Sequence, residues 1–190
     1  MHNLGGPSQS KRALKLVNSM RLYASPTWAE RATEYAICWN LMIRSQGLAA
    51  LRVTRAYHIV PAEAALFFVG TPPGDLIALE RKGVRSKMND PDRLGSKDEI
   101  RKEERDILLA DWSSKWRHGK NAAWTRKILP DLIRWMRRCP KGPTFHVTQA
   151  LTGHGCFRCY LYWRKRASNA ACPYYQHPMD TAKHTIFDWE

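Results

Sequence analysis

The chain has 190 residues, 31 Lys and Arg against 17 Asp and Glu, and a formal net charge of +14. It is long enough to bury a real core, with an ordinary apolar share and eight tryptophans as bulky anchors. No apolar run approaches the roughly 20 residues a membrane helix needs. Residues 1–10 show no signal peptide, and five cysteines without a leader point to a reducing, intracellular compartment rather than a disulfide scaffold.

Read in order, the chain is mainly α, with no convincing run of alternating strand residues. Ser8 or Ser10 can cap a first helix through Tyr23, spaced by Leu14, Val17 and Leu22. Pro26 opens a second helix through Trp28, Tyr35 and Trp39 to about Arg44, Gly47 breaks it, and residues 48–57 form a third. Trp28, Tyr35, Trp39 and Tyr57 read as core anchors. Pro61 starts a short apolar turn over residues 62–69 that Gly70 stops, and Thr71-Pro72-Pro73-Gly74 leads into a helix over residues 75–87.

Residues 89–95, rich in Asp, Pro and Gly, predict a hinge. Ser96 and Glu99 then make a capping box for a helix with Ile100, Ile107, Leu108, Trp112 and Trp116 on one stripe and Lys102, Glu103, Glu104 and Arg105 outside. Gly119 ends it. Asn121 opens another helix, bent or restarted at Pro130, and short helices follow near residues 146–151 and 156–166. The division is residues 1–88, 89–166 and 167–190.

The positive charge is unevenly placed. From Trp112 to Ala171 there are thirteen Lys or Arg and one acid, Asp131, so this stretch carries 13 − 1 = +12 of the total. Trp112, Trp116, Trp124, Trp135, Phe145, Phe157, Tyr160, Tyr162 and Trp163 lie among those cations. Phosphate neutralisation with aromatic stacking is how many proteins hold nucleic-acid backbones without reading sequence. The expected backbone contacts are Arg126, Lys127, Arg134, Arg137, Arg138, Arg158, Arg164, Lys165 and Arg166. The alternative is a helical interaction module whose basic face is only solvated, or docks an acidic protein.

The tail looks like a zinc site with two ligands missing. Replacing Tyr175 and Trp189 by cysteine would give C-x2-C-x8-H-x4-C, four soft donors in one short loop. Only Cys172 and His184 stay in register, with His177 as an irregular substitute. A phenol and an indole are not zinc ligands, so the reading is a degenerate knuckle, with zinc doubtful and residues 167–190 loosely ordered. Cys156 and Cys159 also form a C-x2-C pair, which reads as packing.

Several segments together resemble the Pol polyproteins of type-1, non-LTR retrotransposable elements. They are Asn3-Leu4-Gly5-Gly6-Pro7, Leu22-Tyr23-Ala24-Ser25-Pro26-Thr27-Trp28-Ala29, Leu51-Arg52-Val53-Thr54-Arg55-Ala56-Tyr57, and Val69-Gly70-Thr71-Pro72-Pro73-Gly74-Asp75-Leu76. Further on come Trp124-Thr125-Arg126-Lys127-Ile128-Leu129-Pro130-Asp131 and Thr148-Gln149-Ala150-Leu151-Thr152-Gly153-His154-Gly155-Cys156-Phe157. The resemblance implies the part after the polymerase palm: a thumb-like helical bundle, a basic helical connector and the knuckle.

For the parent protein the resemblance implies an RNA-directed DNA polymerase joined to an endonuclease, working in the nucleus on RNA and DNA by target-primed synthesis. Its catalysis would use paired aspartates holding two magnesium ions. No Asp-Asp pair occurs here, and Asp90 and Asp92 flank Pro91 in a loop. The expectation is therefore a fragment lacking palm and endonuclease, inactive alone, whose partners include the missing upstream polymerase domain. His154 between two glycines reads as a fold-supporting turn, since no nucleophile and orienting carboxylate complete a triad. Lys11, Arg12, Lys15, Arg21, Arg44, Arg52 and Arg55 read mostly as a solvated helix face.

Overall fold

Helix-forming residues punctuated by Pro and Gly produce short helices, and the computed structural model describes residues 7–92, 95–138, 142–174 and 177–188. Among the described residues there are eleven helices and no strand, so the chain is mainly α as its composition predicts. Among the described residues no helix is long and apolar enough to cross a membrane.

Three helices open the chain: α1 (Pro7–Arg21), α2 (Ser25–Glu34) and α3 (Ala36–Thr54). The predicted continuous helix past Tyr35 is interrupted there, with Tyr35 at φ −109° and ψ 89°. That break lets α2 lie against the later helix α5 (Gly74–Asn89) while α3 packs on α1 and α4 (Ala62–Val69). Tyr35 is consequently exposed, not a core anchor.

Gly47 does not end a helix. It lies inside α3, where an added Cβ would collide with Ala62 at the start of α4. The glycine is there for close approach of two helices, at a cost in helix propensity of about 1 kcal/mol relative to Ala. α3 runs on to Arg55, whose left-handed φ of 54° closes it.

α4 is a full helix rather than a turn, and its residues 64–69 are all buried. A helix that is apolar all round belongs in the interior. Phe67 stacks on Trp116 with centroids 4.3 Å apart and on Trp135 at 5.8 Å, while Phe68 meets Trp135 edge-on at 6.0 Å. Full burial of each such ring contributes about 1.5–3 kcal/mol. Gly70, at φ 68°, caps α4 as its position predicts: its N–H donates to Phe67 O, and the Thr71 N–H donates to Leu66 O.

Pro73 has no side-chain cap to offer α5, and α3 supplies one. The Gln46 amide, fully buried, donates to Pro72 O at 2.9 Å and accepts from Gly74 N at 2.9 Å. One side chain thus satisfies both polar groups of the Pro-Pro-Gly linker. Gln46→Leu keeps the volume but orphans a buried carbonyl and N–H, so chemical denaturation should show a loss of about 1–3 kcal/mol.

The capping box of Ser96 and Glu99 starts α6 (Lys97–His118) as the spacing predicts. Its buried stripe is Ile100, Glu104, Leu108, Trp112 and Trp116, a strict step of four, with Ile107 48% exposed. Glu104, expected outside, is buried because Gly83 of α5 has no side chain: a Cβ there would run into its carboxylate. Lys87 closes the pocket, 2.9 Å from both Glu103 and Glu104.

Pro130 separates α7 (Ala123–Ile128) from α8 (Leu132–Arg138), and α9 (Phe145–Thr152) and α10 (Arg158–Trp163) follow. The principal apolar cluster draws on Leu14, Leu51, Phe67 and Leu76 and equally on Leu108, Trp112, Trp116 and Leu132. Residues from both sides of the 89–95 connection therefore share one core.

Candidate nucleic-acid interface and the Cys/His tail

Long cationic side chains stay at the surface unless a carboxylate or carbonyl draws them in. Lys127, Arg134, Arg137, Arg138, Arg164, Lys165 and Arg166 are exposed, whereas Arg126 and Arg158 are half-buried. Ion pairs among the described residues join Lys82 to Glu30, Lys87 to Glu103 and Glu104, Arg101 to Asp98, Arg105 to Glu80, Lys115 to Asp75 and Lys183 to Asp188. None involves the nine expected contact residues. Lys141, counted with the same run, lies outside the described residues.

Arg126 is used internally. Its Nη1 donates to Trp116 O at 3.0 Å and its guanidinium lies 5.6 Å from the Trp116 ring centroid. Arg158 keeps its Nε buried without a hydrogen-bond partner, and its backbone N–H donates to Asp180 Oδ2 at 2.8 Å. Of the N-terminal cations, Arg12, Lys15, Arg44, Arg52 and Arg55 are exposed, and burial lowers the Arg21 pKa.

The two most specific sequence motifs meet each other. Gly153, at φ 70°, closes α9 with N–H donation to Ala150 O, and His154 N–H donates to Gln149 O. α7 also reaches the C-terminal carbonyls of α9: Trp124 Nε1 donates to the same Ala150 O at 3.0 Å and Thr125 Oγ1 to Leu151 O at 3.0 Å. Thr148 also reaches back to Thr144 O at 2.9 Å. These residues build the scaffold beneath the basic surface.

His154 completes that turn as a structural group. Its ring meets Tyr160 edge-on at 5.3 Å, and Nδ1 is buried without a hydrogen-bond partner. Burial pushes the imidazole below its ordinary value of 6.5, partly offset by a hydrogen bond to the Thr152 backbone. Below 6.5 the unfolded chain takes up this proton more readily than the folded one. The contribution is therefore complete above pH 6.5 and is lost as pH falls toward the folded value. Thermal melts should show wild type losing stability more steeply below pH 6.5 than His154→Gln.

The tail is better tied than expected. Asp180 Oδ2 accepts from Arg158 N, Oδ1 accepts from Thr185 Oγ1 at 3.2 Å, its N–H donates to Ala170 O and its carbonyl accepts from Cys159 N. Thr181 caps a final helix, α11 (Ala182–Phe187), by accepting from His184 N. Cys172 N–H donates to His177 O at 3.0 Å.

The metal reading fares differently. His184 is buried and its ring stacks on His177 with centroids 4.2 Å apart and planes 8° from parallel. An imidazole ligates through an in-plane lone pair, so rings stacked in this way cannot both address one ion. Tyr175 and Trp189 lie outside the described residues. Among the described residues no group of three or more His, Cys, Asp or Glu could hold a metal ion. The donors present do not fit a tetrahedral zinc. Asp90 and Asp92 form an Asx turn, with Asp92 N donating to Asp90 Oδ1 at 3.0 Å.

One aromatic was missed. Tyr57, expected in the core, is 38% exposed and lies 6.0 Å from Tyr160, a hundred residues away in sequence. Nothing local signals that pairing.

Over 162 residues the chain is 28% identical to the Retrovirus-related Pol polyprotein from type-1 retrotransposable element R1 of Nasonia vitripennis. The match covers 80% of this chain and 48% of that protein, so the chain spans about half the length of the curated relative it matches. This similarity relates the chain to a retrotransposon Pol polyprotein. No family model and no solved structure matches it.

Proposed function

We propose that the chain is the nucleic-acid-holding C-terminal part of a non-LTR retrotransposon reverse transcriptase. It would grip RNA and DNA during target-primed synthesis in the nucleus, while an upstream polymerase domain holds the palm and its magnesium ions. The observation that carries this reading is the run of seven exposed cations between Lys127 and Arg166 with no ion-pair partner among the described residues. Similarity to a retrotransposon Pol polyprotein supports the same reading. Contacts of this kind position a strand without specifying its sequence.

The test is affinity for a labelled duplex measured against salt. If six or more phosphates are neutralised, affinity should fall roughly 10³-fold between about 50 and about 200 mM salt. Binding that ignores salt, or its absence at low salt, rejects the proposal.

A second reading has its own observation. Leu16, Met20 and Tyr23 at the α1 end, and Ile37, Leu41 and Leu48 on α3, are all more than half exposed. Apolar side chains at helical spacing on adjoining helices suit a protein-docking module. Leu16→Glu with Ile37→Glu would raise solubility and abolish association under that reading, and leave nucleic-acid affinity alone under the first.

A further inference from the structure

Three rings from two distant segments line up beside the basic run. Tyr57, in the turn after α3, lies 6.0 Å from Tyr160 on α10, and Tyr160 lies 6.0 Å from Trp163. Their planes are tilted by 44° and 41°, and Tyr57 and Trp163 are exposed while Tyr160 between them is half-buried. Trp163, at the end of the row, is 62% exposed.

Cations follow Trp163 directly, while Asp180 lies at the start of α10. The Arg164 guanidinium lies 5.7 Å from the Trp163 centroid, Lys165 and Arg166 follow, and all three are exposed and outside the ion pairs of the described residues. Lys165 takes a left-handed φ of 56°, which ends α10 and turns the chain immediately after the exposed indole. Arg55 and His58, also exposed, flank Tyr57 at the other end. An exposed indole offers a flat face on which a base can stack, and clustered cations beside it favour a polyanion.

We propose that Tyr57, Tyr160 and Trp163 form a stacking platform for the unpaired bases of single-stranded RNA or DNA. This rests on the nucleic-acid-holding reading and narrows it: the phosphates lie toward Arg164, Lys165 and Arg166, and at least one base lies against Trp163. Paired bases hide their faces within the helical stack and cannot use the platform. The basic surface then accepts backbone of either kind, while this corner selects strands whose bases are free.

The experiment compares fluorescence anisotropy of labelled oligo-dT, labelled oligo-rU and a labelled duplex of equal length, using the full chain. Trp163→Leu keeps apolar bulk and removes the flat ring, and Tyr57→Leu tests the far end independently. Far-ultraviolet circular dichroism and melting temperature check that each variant folds. The expected result is roughly tenfold weaker binding of one or both single strands by Trp163→Leu, with duplex affinity unchanged. Whether oligo-dT, oligo-rU or both respond identifies the nucleic acid. Equal weakening of duplex and single strands, or none, in both folded variants overturns the platform while salt-dependent wild-type binding leaves the broader reading intact. Wild type that binds none of the three probes overturns both.

Discussion

Trp116→Ala should destabilise the chain by about 3–5 kcal/mol, the largest loss expected from one substitution. The indole is 3% exposed, stacks on Phe67 at 4.3 Å, and donates from Nε1 to Leu129 O at 2.9 Å. The Arg126 guanidinium lies 5.6 Å from the ring centroid and also donates to the Trp116 carbonyl. Truncation removes the packing on α4, orphans a carbonyl before Pro130 and takes away the ring beside Arg126. In a chain of this size the melting temperature should drop on the order of 10 °C. Trp116→Phe separates the terms: it keeps the stack, loses the donor, and should cost about 1–3 kcal/mol. Equal losses for both variants would mean that the hydrogen bond outweighs the packing.

Replacing Lys127, Arg134, Arg137, Arg138, Arg164, Lys165 and Arg166 together by Gln should remove most nucleic-acid affinity while leaving the fold intact. These side chains are exposed and make no ion pair among the described residues, so relieving their mutual repulsion should stabilise slightly or do nothing. Each lost phosphate contact lowers the slope of log affinity against log salt by roughly 0.9 on duplex DNA. Arg126→Gln is the counter-test. Its guanidinium is committed to Trp116, so it should cost about 1–3 kcal/mol of stability and barely change the slope. A variant lacking all seven cations that still binds with wild-type salt dependence would place the interface elsewhere.

Which parts of this were legible in residue order has a physical pattern. Caps were: Ser96 with Glu99 and Gly70 after the apolar run are local hydrogen-bond and dihedral devices, and α6 ends at Gly119 as its position predicts. Gly47 was misread because a glycine inside α3 looks the same whether it breaks a helix or admits one, and Ala62 decides between them. Glu104 was misread for the same kind of reason, since only Gly83 and Lys87 make its burial tolerable. Ile107 was placed on the buried stripe by averaging over helical turns, whereas α6 buries every fourth residue from Ile100 to Trp116. α11 escaped notice because its start depends on Thr181 alone, within a tail read for its metal spacing.

The candidate site divides along the same line. The excess of cations is a compositional fact and their exposure follows from the hydration of charged groups. Arg126 departs from that rule because a carbonyl and an indole wait beside it, and neither is adjacent in sequence. The row of Tyr57, Tyr160 and Trp163 is wholly tertiary, since it needs the end of α3 to reach α10.

The closure of α9 by α7 bears on how this protein can be engineered. With Ala150 and Leu151 carbonyls held by Trp124 and Thr125, the glycine turn and that dipeptide act as a matched lock. A chimera that imports residues 145–157 into a foreign scaffold without residues 123–128 would expose a frayed helix end. Carried across as a pair, the two segments bring their own termination, and grafts should be designed around that joint unit.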